Sequence, residues 1–176
     1  MNSSVPGQRV LVELLLEKFD QLVDTVNGIP DELVNFMLPA QASNSPVQIL
    51  VHCCGMMRRW SSTVNLGVAI PRDRDAEFSA QMEKQDALKL ADATRTAFIA
   101  DLSHTRMHLP PAATPPGRES EYWMGTCEGV LLHVFEELCQ HLGHLEITRD
   151  VLGLPASSNP GNSDLHIVPV EGGRFS

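Results

Sequence analysis

The sequence has no run of about 18 apolar residues, the length that would cross a bilayer as a helix. It has no excess of basic residues: 13 Lys and Arg stand against 22 Asp and Glu, for a formal charge of −9. Neither a nucleic-acid backbone nor an anionic membrane surface suits such a chain as a partner. No Cys-x-x-Cys spacing occurs, and Cys53, Cys54, Cys127 and Cys139 read as reduced thiols rather than as a disulfide framework. Residues Met1 to Arg9 lack a signal-peptide layout, so a cytoplasmic location is expected. The absence of a Ser/His/Asp order and of a glycine-rich phosphate loop leaves nucleophilic-serine and nucleotide-binding chemistry without support. Strand patterning is confined to Ile167–Val170, and no internal repeat is present.

What remains is helix. At 176 residues one domain is expected, and a single core of that size buries roughly 70% of the unfolded chain's surface. Val10, Leu11, Leu14, Leu15, Phe19, Leu22, Val23 and Val26 recur at helical spacing, and Gly28 and Pro30 end the pattern. A short turn is expected around Asp31–Met37. Ser45, Pro46 and Gln48 form the signature of a capping box with proline in the first turn. They open a second helix running to about Leu66, with Gly67 and Pro71 beyond. Its stretch from Val47 to Met57 is apolar nearly all round, which predicts burial on more than one side. A third helix is expected from about Gln81 to Arg106, with Leu88, Ala91, Phe98 and Leu102 inward and Thr94 and Arg95 interrupting that stripe. Prolines 110, 111, 115 and 116 then exclude regular structure. A fourth helix should start near Tyr122–Gly125 and reach about Leu152, where Gly153 and Pro155 stop it. The pattern predicts an all-α four-helix bundle over residues 1–155, followed by an extended or partly ordered tail over 156–176 whose Leu165–Val168 patch packs on the body. The long connections after the second and third helices leave the order of helix directions open.

Chemistry concentrates on the fourth helix. At about 100° per residue, His133, Glu137, His141 and His144 fall within about 80° of one another and form one ridge. Leu131, Val134, Leu138, Leu142 and Leu145 form the adjoining apolar stripe. Such a ridge reads either as a solvated charged face or as a chelate, because Glu137 and His141 lie one turn apart on the same side. His52 is the candidate third ligand, since it sits among Ile49, Leu50, Val51, Cys53, Cys54, Met56 and Met57 and is therefore expected to be buried. A lone buried histidine is usually a hydrogen-bonded core residue. Two imidazoles and a carboxylate from separate helices, however, make an open site for Zn²⁺ or another divalent ion. Ligation would also offset the cost of burying Glu137. His133 and His144 are the spare imidazoles, able to orient a ligand or accept a proton, or else simply exposed. Cys53 and Cys54, about 100° apart on a helix, read as core, and Trp60 and Trp123 as packing.

The stretch Leu131 to Asp150, with its His-x3-Glu-x3-His-x-Gly-His pattern, resembles the last helix of DinB-like proteins. The nearest branch is the one related to the metal-binding domain of mycothiol-dependent maleylpyruvate isomerase. Ser45-Pro46-Val47-Gln48-Ile49-Leu50-Val51-His52 resembles the start of that family's second helix, and the match in spacing runs over roughly residues 8–152. The resemblance implies a bundle with up-down-down-up connection and His52, Glu137 and His141 as ligands of Zn²⁺, with Ni²⁺, Fe²⁺ or Mn²⁺ as alternatives. Many DinB-like proteins carry His where this chain has Glu137, which favours the isomerase-like branch. The resemblance covers the metal-binding domain and not the isomerase's second, C-terminal domain, so isomerisation itself is not expected. It implies an S-transferase that joins a low-molecular-weight thiol, of mycothiol or bacillithiol type, to a small electrophile. Two other functions fit the same residues. One is a metal-assisted hydrolase with Glu136 or His144 as base. The other is a non-catalytic, stress-associated ligand-binding bundle that forms a homodimer.

Overall fold

The computed structural model describes residues 6–39 and 43–156. Within them the chain is all helical, with no strand, and no helix is long and apolar enough to cross a membrane. The elements are α1 (Pro6–Gly28), α2 (Pro46–Arg58), a π-helical continuation (Arg59–Asn65), α3 (Arg74–Glu77), α4 (Lys84–His104), a 3₁₀ turn (Tyr122–Gly125) and α5 (Cys127–Val151). The tail from residue 157 onward, with its Leu165–Val168 patch and Ile167–Val170 pattern, lies outside the described residues.

α1 packs along α5 and also meets α4 and α2, while α2 packs on both α4 and α5. The shared core is built from Leu15, Phe19 and Leu22 of α1, Ile49 and Leu50 of α2, Phe98 of α4, and Leu131, Leu138 and Leu145 of α5. Each such side chain contributes roughly 1.5–3 kcal/mol by leaving water. The capping box is formed as its sequence specifies: Gln48 N donates to Ser45 Oγ at 3.2 Å, and Ser45 N donates to Gln48 Oε1 at 3.0 Å. From Pro46 to Met57 only Val51 and Gly55 escape full burial, so α2 is enclosed on several sides.

Four features depart from the sequence expectation. The second helix does not run as regular α-helix to Leu66; from Arg59 it widens into a π-helix. At its end the carbonyls of Val64 and Asn65, left without helical partners, accept from Ala113 N at 3.0 Å and Ala112 N at 3.4 Å and so tie down the proline-rich loop. Gly67, with φ +71°, reverses the chain at that point, a conformation that costs glycine little. On α4 the inward stripe is Ala87, Ala91, Thr94, Phe98 and Leu102, with Ala87 rather than Leu88 at its start. Thr94 is buried and continues this stripe instead of interrupting it. On α1 Val10 is exposed, and the buried positions are Leu11, Leu15, Phe19, Leu22, Thr25 and Val26. Finally, the connection after the second helix carries a short helix, α3, capped by Asp73 Oδ1, which accepts from Ala76 N at 3.0 Å.

Candidate metal centre

His52 on α2 and Glu137 and His141 on α5 converge. One donor atom from each lies within 4.8 Å of the others, a cluster that can hold a single metal ion. The His52 and His141 ring centres are 4.7 Å apart, and His141 Nε2 lies 3.7 Å from Glu137 Oε2. The helical spacing explains the second contact, because residues four apart share a face. The α2–α5 packing explains the first. Two imidazoles and one carboxylate suit Zn²⁺ and other divalent ions of intermediate softness.

His52 is almost fully buried, and burial is the main cause that holds its pKa below the ordinary 6.5. Its Nδ1 lies 2.9 Å from Glu77 Oε2. Glu77 is in turn gripped by Arg72, whose Nε and terminal nitrogen donate to Oε1 at 2.6 Å and to Oε2 at 2.7 Å. The Arg72 terminal nitrogen also lies 3.5 Å from Nδ1, but the carboxylate, an acceptor only when ionised, is the closer partner and favours the tautomer with the proton on Nδ1. That leaves Nε2 as the free donor atom of His52. Phe78 stacks on the same ring at 4.6 Å and 28°, and the Arg74 guanidinium lies 5.0 Å from the Phe78 ring centre. Arg72, Glu77 and Phe78 were not legible as site residues. The one available signal was Gly55, three residues after His52. A Cβ built there would lie 2.0 Å from Glu77 Oε1, so only glycine leaves room for that carboxylate.

Glu137 and His141 are half-buried. Interaction with His141 is the largest cause that holds the Glu137 carboxyl below its ordinary 4.5; burial opposes it, and the charges of His133, His141 and His52 reinforce it. His133 Nε2 lies 3.7 Å from Glu137 Oε1, and its Nδ1 lies 3.4 Å from Glu136 Oε2. The His133 ring stacks on Trp123 at 4.0 Å and 13° and meets the edge of Trp60, so the two tryptophans wall this side of the cluster. The 3₁₀ turn that carries Trp123 packs tightly on α5, and Gly129 permits it: a Cβ there would lie 2.2 Å from Trp123 O. His144 is half-buried, and its side chain has no hydrogen-bond or ion-pair partner among the described residues. Cys53 and Cys54 are buried and their thiols are pushed up by burial, Cys54 to about 12.

A mycothiol-S-transferase family model matches residues 10–153, which includes His52, Glu137 and His141. No curated protein and no solved structure matches the chain significantly. With most of its length covered by that match, the chain belongs to the mycothiol-S-transferase family.

Proposed function

We propose that the protein is a divalent-metal-dependent S-transferase that joins a low-molecular-weight thiol, of mycothiol type, to a small electrophile. The observation that carries this is the convergence of His52, Glu137 and His141 from two helices, within the span that the family model covers. The reading places these three as ligands, on a DinB-like four-helix bundle of up-down-down-up connection, with residues 156–176 as a tail and the cytoplasm as location. Zn²⁺ suits the donor set best. A divalent cation held there supplies positive charge that lowers the pKa of a thiol brought to it.

The chain's own residues do the rest. His52, fixed through Nδ1, presents Nε2 without reorganising. The less buried Glu137 and His141 form the side from which a thiol can approach. His133 bridges Glu137 and the exposed Glu136, so the thiol proton can pass to His133 Nε2 and leave through Nδ1 toward Glu136. The Trp60 and Trp123 rings hold that imidazole in place. In the transfer the sulfur–carbon bond forms, and the electrophile's leaving group departs with its electron pair. His144 has no part in this path.

The test uses untagged protein with mycothiol and monochlorobimane. Thiol-dependent fluorescence is expected, lost on chelation and restored by Zn²⁺. Fully metal-loaded protein that conjugates neither mycothiol, bacillithiol nor glutathione would overturn the transferase reading. Ester cleavage without any thiol would point to the hydrolase instead.

A further inference from the structure

The segment from Arg72 to Phe78 meets His52 at Nδ1 and on a ring face, and is absent from the three-residue description of the site. Glu77 Oε2 lies 2.9 Å from Nδ1, Arg72 clamps Glu77 through two nitrogens, and Phe78 covers a face of the ring. These contacts are built in, not incidental. Glu77 is buried in a turn of only four residues, anchored by the Asp73 cap and seated in a notch that exists because residue 55 has no side chain. The arrangement matches a general requirement of histidine ligands, whose second ring nitrogen needs an acceptor to fix the tautomer and the ring plane.

We propose that Arg72–Phe78 is a positioning strap: Glu77, held by Arg72 in the notch at Gly55, fixes His52 with its proton on Nδ1 and its Nε2 lone pair aimed at the metal. This rests on the reading of His52 as a ligand. Arg72 has a definite part in it. By neutralising Glu77 it lets a full carboxylate sit buried beside an uncharged imidazole. Glu77 is thus a positioning residue that acts through His52 and is not itself a ligand.

Two variants test the strap by different routes. Glu77→Gln keeps the shape and removes the charge. Gly55→Ala changes no ionisable group and improves helix propensity, but its methyl claims the space of the Glu77 carboxylate. Zn²⁺ affinity is measured by competition with a chromophoric chelator, and the His52 tautomer by ¹⁵N spectra of metal-free, histidine-labelled protein. In the wild type His52 should carry its proton on Nδ1. Both variants should lose that single tautomer and bind Zn²⁺ about 10–100-fold more weakly at unchanged stoichiometry. Asp75→Ala, exposed on the same short helix, should change neither. If the wild type binds Zn²⁺ and both variants match it in affinity and tautomer, the strap is wrong while the metal centre stands. If the wild type takes up no Zn²⁺, the metal reading fails and the strap falls with it.

Discussion

His52 and His141 lie 4.7 Å apart, ring centre to ring centre, yet they are held in opposite ways. The His52 side chain is 5% exposed, hydrogen-bonded and stacked. The His141 side chain is 21% exposed and Glu137 29%, and their mutual contact is no closer than 3.7 Å. One side of the cluster is therefore a fixed anchor and the other an adjustable, water-accessible pair. A site that must both hold an ion and admit a substrate needs this division. Precision comes from the buried helix, and access comes from the ridge of α5.

The largest effect expected from breaking that contrast is on folding. Arg72→Ala leaves the Glu77 charge buried with only a neutral imidazole as partner, and should cost about 3–5 kcal/mol. Urea unfolding checks this; a loss under about 1 kcal/mol would mean that the anchor is not sealed from solvent. His52→Ala should cost about 1–3 kcal/mol, since a buried acceptor loses its donor. His141→Ala, on the open side, should stay within about 0.5 kcal/mol of wild type. The two histidine variants should lose Zn²⁺ alike and differ only in stability. Equal stabilities would erase the distinction between anchor and open side.

The acid response of the metal-free protein sharpens the same contrast. Burial lowers the folded-state pKa of His52 below 6.5, so the unfolded chain takes up that proton more readily. The stability tied to a neutral His52 is complete above about pH 6.5 and is lost as pH falls below it. Glu137, also lowered in the folded state, adds a second loss as pH falls below its ordinary 4.5. Stability measured from about pH 8 down to pH 4 should fall in that order, and His52→Ala should remove the first limb. The smallest effect is on thiol labelling. Cys53, Cys54 and Cys127 are buried and Cys139 is half-buried. A native thiol titration should therefore show slow reaction at Cys139 alone, with all four reacting after unfolding.

The three cluster residues and Glu77 also differ in how far the sequence revealed them. Glu137 and His141 were legible because a helix turns a spacing of four into a shared face. His52 was legible because Ser45, Pro46 and Gln48 mark where its helix begins and apolar neighbours surround it. Glu77 was not, since it meets His52 only after the chain has left α2 and turned back across a notch. No periodicity encodes that return. The π-helix at Arg59–Asn65 escaped for a related reason: apolar spacing looks alike in α- and π-geometry over so short a stretch, and the partners that use its freed carbonyls, Ala112 and Ala113, lie far along the chain. Leu88 reads as inward on hydrophobicity, whereas Ala87 takes that place beside the expected Ala91, Phe98 and Leu102.

The most direct test of the metal centre is elemental analysis of untagged wild-type protein beside His52→Ala, Glu137→Ala and His141→Ala. About one divalent ion per chain in the wild type, and a small fraction of that in each variant, is the expected result. A wild type without metal, or variants that hold as much as the wild type, would contradict the proposal that these three residues bind a metal.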